Sequence, residues 1–278
     1  MSENQVVTNA WQLQSNRNFN IPFNYVWDRS NSYWKAMELG DLGSYTDNIV
    51  AGADDRILKF GSNPNIPNDV SLSSPETVWD GSTEYVFPPD AGTGIQVKSD
   101  DSGDAQEIVI QGLDENFNSA SWTGDLNGLS EVNVDGTWSR VFRAFNNDNT
   151  DFAGDINIHA SGDDSTSYAK IISANNQTLM AVYTVPENTT GYLIQYEASA
   201  QNTLSSSSIG YTLNLKTREY GKVFRVQEVT SVTTENSHMQ QLQVPIILEP
   251  KTDILVDVVS ANGTNGSVNA DFSIALHR

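Results

Sequence analysis

No cysteine occurs anywhere in the 278 residues, which rules out a disulfide framework, a thiolate metal site and a cysteine nucleophile. Basic residues are scarce: 15 Lys and Arg stand against 35 Asp and Glu, a formal net charge of −20. A surface that negative repels phosphate backbones, so nucleic acid is a poor partner. Apolar runs are short, and none approaches the ~18 residues that a membrane-spanning helix needs. The opening Met-Ser-Glu-Asn-Gln has neither the basic nor the apolar region of a secretory signal, so synthesis in a cytoplasm is expected. Charged residues are only 18% of the chain. With so little Glu, Lys and Arg to cover helix faces, and so much Asn, Ser, Thr and Gln, the composition favours strands joined by many turns.

What is present is unevenly spread. Residues 1–160 carry 24 acids and 8 bases, residues 161–278 carry 11 and 7, and all six Trp lie at or before Trp138. The chain divides on this reading into an irregular N-terminal arm (1–55) and two antiparallel β-sandwich or jelly-roll-like domains (56–160 and 165–278), an all-β protein. The arm is rich in Asn and aromatic residues and has no clear period; Trp11, Phe19, Phe23, Trp27 and Trp34 give it too much apolar area to leave in water. It is expected to be the assembly element, seated on a neighbouring subunit or on the capsid. Tyr33–Leu39 is read as one or two helical turns ended by Gly40.

Beyond residue 55 the pattern is that of strands. Glu107–Gln111, Trp138–Arg143 and Asp155–His159 are short apolar or alternating runs between Gly, Asp and Asn. Asp80-Gly81, Asn127-Gly128 and Asp135-Gly136 supply hairpin or tight-turn chemistry, because Gly accepts positive φ. After a soft boundary at Ala160–Ser167, eight strand candidates follow at close spacing, from Ala169–Ser173 to Phe272–Leu276. In Ile209–Lys216 every second residue is apolar, the mark of a half-buried strand.

Few residues suggest chemistry. Asp100, Ser102, Asp104 and Glu107 place hard oxygens in one short loop, the donor type that Ca²⁺ takes, although the spacing is not that of a twelve-residue calcium loop and a solvated hairpin tip is the plainer reading. His159, His238 and His277 stand apart with no metal-binding spacing. Ser205–Ser208 lacks a nucleophile elbow. Trp79, Tyr85, Trp122 and Trp138 could line a glycan site if exposed, though Trp79 and Trp138 sit in apolar contexts. No acid, base or nucleophile stands in a catalytic arrangement, so a non-enzymatic protein without cofactor is expected.

Several blocks in order carry a resemblance: Lys59–Pro64, Glu76–Gly81, Ile108–Asp114, Arg140–Ala144 and Asn176–Pro186. Over residues 18–230 the chain resembles uncharacterised virion-associated proteins encoded in the structural gene clusters of marine tailed phages, cyanophages included. The resemblance implies a particle component located in the virion, and brings no catalytic motif. A capsid decoration or cement protein is expected, assembling with itself as a symmetric trimer and with other capsid or tail proteins. A fibre or tail component and a β-sandwich that binds host glycans are the alternatives.

Overall fold

The computed structural model describes residues 25–28, 33–36, 55–202, 208–263 and 266–277. These are strands and turns without a helix, and so without any helix long and apolar enough to cross a membrane. Trp11, Phe19 and Phe23 lie outside the described residues. The first two strands are β1 (Tyr25–Asp28) and β2 (Tyr33–Ala36). They pair antiparallel with Trp27 opposite Trp34, so the helical turns expected over 33–39 are replaced at 33–36 by a strand. Aromatic residues at 33 and 34 favour a pleated surface. This hairpin belongs to a unit spanning Met1–Gly52; Ala53–Arg278 is a second.

The second unit begins with β3 (Asp55–Ile66), β4 (Glu76–Thr77), β5 (Thr93–Ser99), β6 (Glu107–Asp114) and β7 (Ser119–Asp125). Next come β8 (Val132–Asn146), β9 (Ile156–Ala160), β10 (Asp163–Ile171) and β11 (Val182–Thr184). The last are β12 (Thr190–Asn202), β13 (Gly210–Arg218), β14 (Arg225–Thr233), β15 (Ser237–Leu248), β16 (Asp253–Ala261) and β17 (Gly266–His277). They form a six-stranded sheet ordered β10-β9-β5-β8-β6-β7, a five-stranded sheet ordered β11-β16-β13-β14 with β4 beside β16, and a four-stranded sheet ordered β15-β12-β17-β3.

Two apolar cores result, and the five-stranded sheet contributes to both. Ile254, Val256 and Val258 of β16 pack with Leu193, Tyr196, Phe272 and Ile274 of the four-stranded sheet. Leu255, on the opposite face, packs with Ile95, Ile110, Trp138 and Ile158 of the six-stranded sheet. A strand covered on both faces reads as a continuous apolar run, as Asp253-Ile-Leu-Val-Asp-Val-Val259 does.

The sheets cross the stretch expected to divide two domains. β10 starts within it and pairs with β9. β3, at the beginning of the first expected range, pairs along its length with β17, the last strand. The polar sequence Asp163–Ser167 reads as a linker because β10 is an edge strand and its first residues face water. Asp135-Gly136 departs from the hairpin reading too. It lies inside β8, where Thr93 faces Trp138 but Ile95 faces Val134; the extra residues bulge, and Gly136 takes a φ of +93° that a side chain would strain.

Between the six-stranded and five-stranded sheets the joint is ionic. The buried Arg140 of β8 donates from Nε to Asp253 Oδ1 at 2.7 Å and from a terminal nitrogen to Asp253 Oδ2 at 3.1 Å. It also donates to Asp90 at 2.7 Å and to the carbonyls of Pro88 and Ser139. Asp253 accepts further from Thr184 Oγ1 at 2.6 Å and from Arg218 Nε at 2.9 Å. Breaking one side of a buried ion pair leaves the other charge uncompensated. Arg140→Ala is therefore expected to destabilise the fold by about 3–5 kcal/mol in urea unfolding, and Arg140→Lys to recover little of it, since an ammonium cannot reproduce the fork.

Candidate assembly and binding surfaces

The acidic loop that sequence offers as a calcium candidate is occupied by its own donors. Asp104 is buried and accepts from Ser99 Oγ at 2.6 Å, Ala153 N–H at 2.9 Å and Gly154 N–H at 3.0 Å. Burial pushes its carboxyl up, and these hydrogen bonds outweigh that and hold it below the ordinary value. Asp100 accepts from Asp155 N–H at 2.7 Å, and Glu107 accepts from the Asn147 amide. Asp100, Asp104 and Glu107 thus stitch β5, β6 and the 146–155 loop together. Among the described residues no three His, Asp or Glu side chains gather as metal ligands.

The aromatic residues weighed as a glycan platform do not form one. Trp79, Tyr85 and Trp138 are buried in the core of the six-stranded sheet. Trp79 Nε1 donates to the Thr83 carbonyl, Trp138 Nε1 to the Asp135 carbonyl, and Tyr85 Oη to the carbonyls of Val141 and Tyr168. Trp122 is half-buried, with its ring over Gly124, where an added Cβ would come within 2.4 Å. Of the histidines, His159 is buried with Nδ1 against the Ala160 carbonyl, and His238 Nε2 lies 3.2 Å from Glu228. Residues 205–207 of the serine run lie outside the described residues.

Three features were not legible in the sequence. The first is an edge. β15 is the outer strand of the four-stranded sheet and has no Asp, Glu, Lys or Arg across its twelve residues. Met239, Val244 and Ile247 on it are 68%, 81% and 61% exposed. Free strand edges are normally blunted by charge; here Pro245 and a register break opposite Leu193–Gln195 are the features that interrupt it.

The second is a pair of buried ionisable groups. Lys59 of β3 is buried, and its Nζ donates to the Phe142 carbonyl and lies 5.4 Å from the Phe142 ring centroid. Burial, with the charge of Arg143 adding, lowers its amine to about 7. Asp80 accepts from Leu179 N–H at 2.8 Å through Oδ2, while Oδ1 has no hydrogen-bond partner. Burial raises its carboxyl to about 7, against the Leu179 bond and the charge of Lys170. Lys59 and Asp80 look like ordinary surface residues in sequence because their burial depends on which strands pair.

The third is a cavity of about 560 Å³ lined by Asp90, Glu115, Asn116, Phe117, Tyr220 and Lys251 among others. It stands where five loops meet.

No family model matches the chain, and no curated protein matches it. Among solved structures the chain is similar to that of infectious bursal disease virus, Gt strain, at 10% identity and a TM-score of 0.21, over 81% of this chain and 72% of that one. It is similar also to the crystal structure of the infectious bursal disease virus VP2 subviral particle, at 11% identity and a TM-score of 0.20, over 81% and 72% of the two chains. At TM-scores near 0.2 such overlap says nothing of what the chain does.

The lowered Lys59 amine has a consequence for stability. Between about pH 7 and the ordinary 10.5 the unfolded chain binds a proton that the folded chain does not, so stability rises with pH through that window. Below pH 7 the cost of the buried charge is fully present. Lys59→Met is expected to stabilise the protein by up to about 5 kcal/mol at pH 6, with the gain vanishing toward pH 10.5, as read from denaturant midpoints across pH.

Proposed function

We propose that this protein is a structural component of a tailed-phage particle, a decoration or cement protein that acts by contact rather than by catalysis. The observation that carries the reading is the edge strand β15, uncharged and with Met239, Val244 and Ile247 exposed, in a chain of net charge −20. Copies so negative repel one another. A β-edge free of charge is a surface on which like-charged copies, or a capsid neighbour, can meet without desolvating an ion. The resemblance over residues 18–230 supports the same class of protein.

Two contacts serve this role. β15 presents Met239, Val244 and Ile247 to a neighbour. The segment before residue 55, with Trp11, Phe19, Phe23, Trp27 and Trp34, provides the second as an assembly arm. Repetition of these contacts about a threefold axis gives a symmetric trimer on the head surface, and the strength comes from apolar burial and strand pairing. The mature site of action is the virion.

Sedimentation equilibrium and binding to purified phage heads test this. The intact chain is expected to sediment as a trimer and to bind heads. Val244→Glu combined with Ile247→Lys, and separately deletion of residues 2–50, should give folded proteins with both properties lost. An intact chain that stays monomeric up to about 0.1 mM and ignores heads defeats the proposal, since specific assembly contacts bind in the micromolar range or tighter.

A further inference from the structure

The cavity at the loop end is built to a pattern that assembly does not need. Its walls come from the β6–β7 turn, the turn before Gly92, the β11–β12 loop, the β13–β14 turn and the β15–β16 turn. It is an open depression of about 560 Å³ with a mostly polar lining, so a ligand seated there would keep one side in water. Tyr220 stands in the β13–β14 turn, half-exposed as a residue, with its ring at a near-right angle to the buried Phe117 ring at 5.5 Å between centroids. Lys251 Nζ lies 5.2 Å from both ring centroids and pairs with Glu187. Asn116 and Glu115 lie exposed at the rim.

The walls are fixed from behind. Glu187 N–H donates to the Phe117 carbonyl at 2.8 Å, and Lys251 N–H to the Val185 carbonyl at 2.9 Å. Asp114 Oδ1 accepts from both Asn116 N–H and Asn118 N–H at 2.8 Å. Beneath, the Arg140 guanidinium lies 4.8 Å from the Phe117 ring centroid and holds Asp90 at 2.7 Å. Such a frame needs little ordering when a ligand enters.

We infer that this cavity, bordered by Tyr220, Asn116, Glu115, Asp90 and Lys251, is a binding site for a neutral pyranose saccharide. With Lys251 Nζ over the Tyr220 ring, the ring face turned away from Lys251 is the one that would carry the C–H face of a sugar ring. The same depression is lined by acceptors (Glu115, and Asp90 beyond its bond to Arg140), a donor (Lys251 beyond its pair with Glu187) and an amide that is both (Asn116). Vicinal hydroxyls, each donor and acceptor, satisfy such a mixed rim. An anion would meet the carboxylates, and a free cation would compete with Lys251 and Arg140, which already neutralise Glu187 and Asp90. The inference stands on the cavity alone and is independent of the particle role.

Saturation-transfer NMR of the full chain with glucose, galactose, mannose and N-acetylglucosamine, each in EDTA, tests it. At least one sugar is expected to receive saturation on its ring C–H protons, with millimolar affinity. Tyr220→Ala and Asn116→Ala should each weaken it by about tenfold, whereas Tyr220→Phe, which keeps the platform, should retain it. No transfer to any of the four sugars at tens of millimolar, about ten times the affinity expected, overturns the inference. So does transfer that survives Tyr220→Ala, or a response of the Tyr220 resonances to calcium chloride alone with none to sugar.

Discussion

A guanidinium in the interior is costly unless every donor is met, and Arg140 meets that condition with two carboxylates and two carbonyls. Burial works against its charged form, and the bonds to Asp253 and Asp90 outweigh it, so its pKa lies above the ordinary value. Its flat faces rest against Phe87 and Phe117. With Arg218 also on Asp253, two cations balance two carboxylates. The cluster ties β8 of the six-stranded sheet to β11, β13 and β16 of the five-stranded sheet. It also fixes register. A slip of one residue in β16 would turn Asp253 and Asp257 into the core held by Ile254, Val256 and Val258. Asp257, bonded to Thr77 Oγ1 at 2.7 Å and to Lys216, repeats the constraint one pleat on.

The strands were largely legible, since alternation and turn residues act locally. Glu107–Gln111 and Ile254–Val259 fall inside observed strands, and Ile209–Lys216 begins one residue before β13. Partners were not. β3 and β17 lie at opposite ends of the unit, and Arg140 and Asp253 are 113 residues apart; nothing in the amphipathic period of a strand names the strand it will face. The apolar contexts of Trp79 and Trp138 pointed to the core, where both lie, but not to their neighbours: the structure puts Trp79 against Tyr85 at 5.1 Å between centroids. The acidic loop misled by composition: Asp104 sits among ligand-type residues, but backbone N–H groups brought from the 153–154 turn take its oxygens.

Edges show where the chain spends its charge. β10 opens on Asp163 and Asp164, β14 carries Arg225 and Glu228, and β3 begins with Asp55 and Arg56. Each of these outer strands is guarded in the usual way. β15 has no such residue; β11, also outermost and uncharged, is three buried residues long. The His238–Glu228 contact does not guard it, because Glu228 belongs to β14 and His238 is the half-buried second residue of the strand.

That contrast separates two kinds of surface on one molecule. On β15 the exposed groups are uncharged, with Met239, Val244 and Ile247 standing among Ser237, Gln241 and Gln243, which suits an extended partner that supplies backbone hydrogen bonds and apolar side chains together. At the loop end the exposed groups are polar and arranged around a concavity, which suits a small ligand. A strand edge tolerates slippage unless side chains fix its register, whereas the loop end is held by Phe117, Asp114 and Arg140 and has one geometry. On the roles proposed above, β15 would supply strength and the loop end selectivity, with the Arg140–Asp253 joint holding the β8 and β16 elements in one frame.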